Sequence, residues 1–463
     1  MSSFENVSEA SLTEVQPTDR ILVDSLRTVA FHTLGCKANQ LETSTLAGGF
    51  RDQGWRIVPF DDPAEVYVIN TCTVTERSDQ ESRRMVRRAR LSNPEARIVV
   101  TGCYAQVSPE ELAALDGVSF VIGNNYKDGI VDLVQSTPPS ERPLVKVSDI
   151  DKSRIMEGAS SAALDGTQER TRGSLKIQDG CDYKCTYCII WEARGLSRSL
   201  PVDDLKLQLS RMIDAGFKEI VLTGINIGQY EHESSDLADL LSGLIQLPGQ
   251  FRLRLSSLDP MEVSEKLIDV VAQSGGKICP YFHLSAQSAE DYVLKRMGRR
   301  HHVADMLRVC NHIAEQIPYA CVGSDIIVGF PGETLERFEA TYETLKNAYM
   351  NYFHVFSYSK RKGTPAASFP EQVPEREKKA RAARLRSLSE EKNLAYRQRF
   401  LGKTLEVIVE QDCRSGMSEN YIKIQLDANG LDLQPNDLAQ VTLTLVDVEQ
   451  SFGRVSGIAA NRT

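Results

Sequence analysis

Residues 179–188 read Asp179-Gly180-Cys181-Asp182-Tyr183-Lys184-Cys185-Thr186-Tyr187-Cys188. They follow directly on an apolar, strand-like run at 175–178. The cysteine spacing is C-x3-C-x2-C, so three thiols share one short loop. Three thiolates can hold three irons of a [4Fe–4S] cube and leave the fourth iron without a protein ligand. An open iron can chelate an amine and a carboxylate, the pair offered by the methionine part of S-adenosylmethionine; the cofactor then carries radical chemistry and the protein positions it. The competing reading is a zinc knuckle. Zinc normally takes four ligands, and no fourth Cys or His lies nearby at such a spacing.

Outward from this loop, strand-like runs alternate with helical ones. The runs at 175–178, 220–223, 252–256, 281–284, 323–328 and 352–356 predict six parallel strands, an incomplete (β/α)6 barrel over 173–400. Before it, runs at 27–34, 66–69, 98–101 and 120–122, separated by helical segments, predict a smaller parallel α/β domain over 27–140. Residues 1–26 read as a polar leader, and 141–172, rich in Ser, Ala, Gly and charge around 151–172, as a linker. From 402 to 463 strand-like runs at 404–409, 421–426 and 439–446 joined by polar loops predict a small β-barrel.

The first three strands of the N-terminal domain each run into a cysteine: Leu34-Gly35-Cys36, Asn70-Thr71-Cys72 and Thr101-Gly102-Cys103. Ligand sites in open parallel sheets gather beyond the carboxyl ends of the strands. Cys36, Cys72 and Cys103 are therefore expected to converge, although scattered cysteines are more commonly small buried apolar residues. Cys279, Cys310, Cys321 and Cys413 show no ligand spacing and read as core or incidental.

The chain has 463 residues and a formal net charge of −9, so a polyanionic partner has to be met by local patches. No run approaches the ~20 apolar residues of a membrane span, and the polar, acidic start lacks a secretory pattern. No membrane and a cytoplasmic location are expected, where thiols serve as ligands rather than disulfides.

The motifs Thr33-Leu34-Gly35-Cys36-Lys37-Ala38-Asn39-Gln40, Asn70-Thr71-Cys72-Thr73-Val74-Thr75, Thr101-Gly102-Cys103-Tyr104-Ala105-Gln106 and Gly329-Phe330-Pro331-Gly332-Glu333-Thr334, with the Cys181 loop, resemble those of the radical S-adenosylmethionine methylthiotransferases. The resemblance covers about 27–457. It implies an N-terminal cluster domain, a radical core and a C-terminal TRAM barrel. It implies two [4Fe–4S] clusters, an auxiliary one on Cys36, Cys72 and Cys103 and the radical one on Cys181, Cys185 and Cys188. It also implies S-adenosylmethionine used twice, once as methyl donor and once cleaved reductively to a 5′-deoxyadenosyl radical. Tyr187, Thr223, Gly224 and Gln287 are the residues it suggests near the cofactor. No side chain is singled out as an acid or base.

Within that family, the Thr33–Gln40 start and Met417-Ser418-Glu419-Asn420-Tyr421-Ile422 resemble the branch acting on threonylcarbamoyladenosine in tRNA. The implied product is 2-methylthio-N6-threonylcarbamoyladenosine at position 37. The implied partners are a tRNA anticodon stem-loop, a reducing electron donor and a sulfur donor. The branches acting on isopentenyladenosine or on a ribosomal-protein aspartate are the alternatives, and a non-catalytic metal-cluster RNA-binding protein is the alternative of another class. The modification carries a carboxylate, which an Arg clamp at Arg194 or Arg198 would suit.

Two positions depart from the family pattern. Trp191 stands where proline is usual, and Ala289 where glycine is usual in His283-Leu284-Ser285-Ala286-Gln287-Ser288-Ala289. Basic runs at 83–90, 295–302 and 374–400 are candidate phosphate contacts, or solvated faces. From 402 onward acidic residues outnumber basic ones, so any RNA contact there needs a local face or an aromatic such as Tyr421.

Overall fold

The computed structural model describes residues 27–150 and 171–458. The expected leader at 1–26 and residues 151–170 of the expected linker lie outside them.

The N-terminal sheet has strands β1 (Thr28–Thr33), β2 (Arg56–Val58), β3 (Val66–Thr71), β4 (Arg97–Gly102), β5 (Val118–Ile122) and β6 (Leu144–Lys146). Their order is β2-β1-β3-β4-β5-β6 and every pairing is parallel. β3 is buried along its whole length, which is why it reads as a continuous apolar run. The helix Glu76–Ser92 covers it with Met85, Val86 and Ala89, and Thr75 caps its start by accepting from the Ser78 N–H. β6 lies inside the expected linker, so the N-terminal unit runs past residue 140. Two residues of that strand, Leu144 and Val145, are exposed, and a short exposed edge strand carries little hydrophobic signal.

The central unit has strands β7 (Gly173–Lys176), β8 (Glu219–Thr223), β9 (Arg252–Leu255), β10 (Tyr281–Gln287), β11 (Cys321–Val328) and β12 (Tyr352–Ser357). β9-β8-β7 form one parallel sheet; Ser257–Leu258 continues the β9 segment into a second, followed by β10, β11 and β12. The result is the expected six-stranded parallel array. Leu253, Leu255, Phe282, Leu284, Ile326, Val328, Phe353 and Val355 face the helices in the largest apolar core. The alternate residues, among them Arg252, Arg254, Tyr281, His283, Asp325 and His354, therefore line the inner face.

At the carboxyl end, β13 (Thr404–Val409), β14 (Ser415–Ser418), β15 (Lys423–Asp427), β16 (Leu438–Val446) and β17 (Ser451–Ile458) close into a five-stranded barrel, consistent with a TRAM-like domain. β14 and β17 were not among the expected strands; one is a short polar run, the other is interrupted by Gly453 and Gly457. This barrel is fastened to the start of the central strands. Arg252 and Arg254 both pair with the buried Glu219 and donate to the carbonyls of Glu406, Met417, Ser418 and Glu419. Burial alone would push Glu219 up; Arg254 and Arg252 outweigh it and hold the carboxyl down at about 2. Tyr421 stacks on Tyr281 with ring centroids 4.1 Å apart and on Tyr352 at 5.9 Å. It is a packing residue of this seam, not the free aromatic platform expected for RNA.

Candidate active site: two cysteine triads joined by a buried arginine

The Cys181 loop is held from several sides. The Cys181 N–H donates to Gly195 O (3.0 Å), the Cys188 N–H to Cys185 O (3.0 Å), and the Thr186 N–H to Met297 O (2.9 Å). Each sulfur also receives a donor. The Tyr183 N–H points at Cys181 Sγ (3.4 Å), the Ile190 N–H at Cys188 Sγ (3.4 Å) and the Arg299 guanidinium at Cys185 Sγ (3.6 Å). Donors to sulfur are the means by which a protein tunes a thiolate-bound cluster. Arg299 is anchored in turn on Asp259 and on Ser285 O. Burial pushes the Cys188 thiol up to about 11 and that of Cys181 up to about 12.

Trp191 lies in the short helix Ile190–Arg194, and its indole N–H donates to Cys188 O at 3.0 Å. Lys184 sits 5.3 Å from the centroid of the same ring. A proline at this place would stiffen the turn but could supply no such donor. The indole closes the loop by a side-chain hydrogen bond instead.

Cys36, Cys72 and Cys103 follow β1, β3 and β4, which are neighbours in the sheet. The order β2-β1-β3-β4-β5 reverses direction at the β1/β3 boundary, the switch point where such sheets hold ligands. Two glycines make the approach possible. A Cβ on Gly35 (φ 94°) would lie 2.8 Å from Cys72 Sγ, and one on Gly102 (φ 96°) 2.4 Å from Thr71 O. Asn39 ties the ends of β1 and β3 together by donating to Leu34 O (2.8 Å) and Thr71 O (2.9 Å), Asn70 donates to Asn39 O (2.9 Å), and the Thr71 hydroxyl donates to Thr101 O (2.6 Å) near the end of β4. Burial, with the nearby Cys103 and Cys36, pushes the Cys72 thiol up to about 11.

Arg194 joins the two sets. Its Nε points at Cys103 Sγ (3.4 Å), and its terminal nitrogens reach Glu42, Asp179 (3.2 Å) and Asn39. Glu42 also pairs with Lys127 and with Lys176 (3.0 Å), and Lys176 with Asp179 (2.7 Å). Asp179 stands two residues before Cys181, so one buried ion network touches both triads. Burial pushes Glu42 up, but Arg194, Lys127 and Lys176 outweigh it and hold the carboxyl well below its ordinary range. A second bridge runs from Arg361 to Asp79 and Thr73, the residue after Cys72. Beside it opens a cleft of about 1180 Å³, lined by Arg83, Glu111, Ile189, Glu192, Arg361 and Gly363 among others.

The remaining expected residues are spread around the Cys181 loop. Tyr187 packs edge-on against Phe330 (6.2 Å). Thr223 ends β8 with its hydroxyl buried and without a partner among the described residues; Gly224 follows it against Gln178. Gln287 ends β10 in the left-handed region (φ 69°). That strained position falls on Gln287 and not on Ala289, so the glycine missing at 289 is not needed for a positive φ. Arg198 donates to Arg194 O (3.2 Å) and lies 3.8 Å from Asp179. Both arginines thus make internal contacts around Asp179. Glu42, Lys127, Lys176 and Asp259 were not expected as site residues, and Arg299 was expected only as part of the basic run at 295–302; it faces Cys185 and Asp259 instead. The one signal for Glu42 was a carboxylate on a helix that otherwise buries Asn39, Thr43 and Leu46.

The family model for the radical SAM superfamily matches residues 175–345, and that described as "Uncharacterized protein family UPF0004" matches residues 28–123. Fold and cysteine sets together define a radical S-adenosylmethionine enzyme with an N-terminal accessory sheet. Among curated relatives, "Threonylcarbamoyladenosine tRNA methylthiotransferase MtaB" of Bacillus subtilis (strain 168) is 41% identical over 410 residues, covering 86% of this chain and 90% of that one. The protein of the same name from Aquifex aeolicus is 39% identical, covering 86% and 96%. A "tRNA-2-methylthio-N(6)-dimethylallyladenosine synthase" of Corynebacterium urealyticum is 29% identical, covering 90% and 80%. The radical S-adenosylmethionine methyltransferase TsrM from Kitasatospora setae shares the fold at a TM-score of 0.54 and 15% identity, covering 74% of this chain and 77% of that one. The chain belongs to the threonylcarbamoyladenosine tRNA methylthiotransferase family.

Proposed function

We propose that this enzyme methylthiolates C2 of N6-threonylcarbamoyladenosine at position 37 of tRNA. The observation that carries the reading is the pair of three-cysteine sets meeting across Arg194. The donor chemistry fits two [4Fe–4S] clusters. Each set offers three thiols and no fourth, since Cys279 and Cys321 lie in the seam with the small barrel and Cys310 in the central core. Cys181, Cys185 and Cys188 would hold the cluster that serves S-adenosylmethionine, and Cys36, Cys72 and Cys103 the auxiliary one. When bound, these groups supply the electron, the carbon radical and the methylthio group.

The chain's own residues position and insulate. Burial raises the Cys72, Cys181 and Cys188 thiols, so bare thiolates are unfavourable at those positions and cationic iron would make them stable ligands. Arg299, Tyr183 N–H and Ile190 N–H donate to the radical-site sulfurs, and Arg194 to Cys103. Tyr187, Thr223, Gly224 and Gln287 surround the place for the cofactor. Arg198 keeps its assignment as a substrate contact, with an Nε that has no partner among the described residues. Arg194 is reassigned to positioning, because its donors are engaged inside the protein. A reducing electron donor and a sulfur donor complete the partner set, and the cytoplasm is the site of action. No helix among the described residues is long and apolar enough to cross a membrane.

The test is mass spectrometry of anticodon stem-loops incubated with the cluster-loaded enzyme, S-adenosylmethionine, sulfide and a reductant. The expected result is a methylthio adduct on the threonylcarbamoyladenosine RNA and little on the isopentenyladenosine RNA. The reverse preference would assign the enzyme to the other branch, and no adduct on either RNA would refute the reading.

A further inference from the structure

His283, Asp325 and His354 stand on the inner face of three adjacent strands, and their hydrogen-bond partners are one another and the hydroxyls of Tyr281 and Tyr352 rather than any cysteine. Asp325 and His354 are direct register partners on β11 and β12. His283 on β10 pairs with Gly323, one pleat before Asp325. Asp325 Oδ1 lies 3.0 Å from His283 Nε2 and 3.3 Å from His354 Nδ1, and one ligand atom from each residue lies within 4.8 Å of the other two. Two ligands about 2.1 Å from one ion, at angles between octahedral and tetrahedral, stand about 3.0–3.4 Å apart.

The surroundings are built for ligation. His283 is buried, and its other ring nitrogen, Nδ1, is held by the Tyr352 hydroxyl (3.1 Å), which itself bonds to the Tyr281 hydroxyl (2.6 Å). A partner on the far nitrogen orients the ring and aims the near one, which here stands against Asp325 Oδ1, at the place an ion would take. The Asp325 carboxylate stands between the two imidazoles and supplies the oxygen ligand of the set. The side chain of His354 is half exposed, which leaves an open side toward the interior face that also carries Ser285 and Gln287.

We propose that His283, Asp325 and His354 bind a divalent transition-metal ion, of the Zn2+ or Fe2+ kind, whose open positions take an oxygen anion of the substrate. Two imidazoles and one carboxylate suit such ions, and hard Mg2+ or Ca2+ would ask for more oxygen ligands. Resting on the function proposed above, that oxygen anion is the carboxylate of the threonylcarbamoyl group. The feature would then read the part of the substrate that separates this modification from an isopentenyl one, which has no anionic oxygen to coordinate.

The test is zinc titration of the cluster-loaded enzyme, with bound zinc and iron measured together on the desalted protein. One zinc per chain is expected in the wild type and none in Asp325→Asn or His354→Ala, with iron unchanged in both. Zinc equal in wild type and both variants, or absent from all, would overturn the site and identify the three residues as a hydrogen-bonded cluster. This readout involves no RNA, so it stands apart from the methylthio-transfer reading. Addition of the nucleoside N6-threonylcarbamoyladenosine should tighten zinc binding at least ~10-fold, a coupling of about 1.4 kcal/mol, where adenosine does not. Equal effects of the two nucleosides would overturn the carboxylate as the ligand.

Discussion

The two cysteine triads are built in opposite ways. Cys181, Cys185 and Cys188 sit on one loop, whose spacing alone brings them together and which is then pinned by hydrogen bonds to Gly195 and Met297 and by Arg299. Cys36, Cys72 and Cys103 come from three strand ends and meet only when β1, β3 and β4 pair. The first set needs a loop; the second needs a folded sheet, two glycines and the asparagine pair Asn39 and Asn70. A local site tolerates change in the scaffold, whereas an assembled site inherits every weakness of it.

Ligand removal should affect the two sets alike in iron and differently in scaffold. Cys185→Ala and Cys72→Ala are each expected to lose about half of the iron, roughly four of eight atoms for two cubes, read by metal analysis of anaerobically purified protein. Loss of nearly all iron from either variant would show that the sets do not load independently. The next largest effect belongs to the arginine between them. Arg194→Ala leaves Glu42 and Asp179 with less buried counter-charge, and breaking such a network costs about 3–5 kcal/mol. Thermal melting should show that loss, and iron should fall more at the assembled set.

Gly102→Ala keeps every ligand but places a methyl group against Thr71 O and forces a positive φ on a residue with a side chain. The expected cost exceeds about 1 kcal/mol, with iron lost from the assembled set only. An equal loss from the Cys181 loop would remove the distinction drawn between local and assembled sites. Acid should act on the seam with the small barrel. Glu219 has a folded pKa of about 2 against an ordinary 4.5, so its contribution is fully present above about 4.5 and disappears as pH falls through 2. Melting temperatures over that window should fall for the wild type and flatten in Glu219→Gln, already destabilised at neutral pH. Trp191→Phe is the mildest change: one hydrogen bond of about 1 kcal/mol is lost, with the loop and its iron retained.

The same contrast explains what could be read from the chain. The Cys181 spacing is a local pattern and needed no fold. The strand-end cysteines were legible because apolar β-branched runs mark β1, β3 and β4 and the carboxyl ends of parallel strands are where ligands gather. Glu42, Lys127 and Lys176 were not, because their partners lie far apart in sequence and only burial forces them together. Arg194 followed a cysteine and suggested a substrate clamp; its depth between the two units makes it a tie. Tyr421 looked like a free aromatic in a β segment, and only docking of the barrel onto Tyr281 and Tyr352 decides its use. Short, polar or exposed strands such as β6 and β14 carry no period for a sequence to reveal.

The central claim is a division of labour between the triads. It is tested most directly by measuring 5′-deoxyadenosine and methylthiolated nucleoside together, in single reactions of Cys72→Ala and Cys185→Ala with threonylcarbamoyladenosine RNA. The account predicts that Cys72→Ala still forms 5′-deoxyadenosine while making no methylthiolated product, and that Cys185→Ala forms neither. Methylthiolated product from Cys72→Ala, or 5′-deoxyadenosine from Cys185→Ala at the wild-type level, would contradict it.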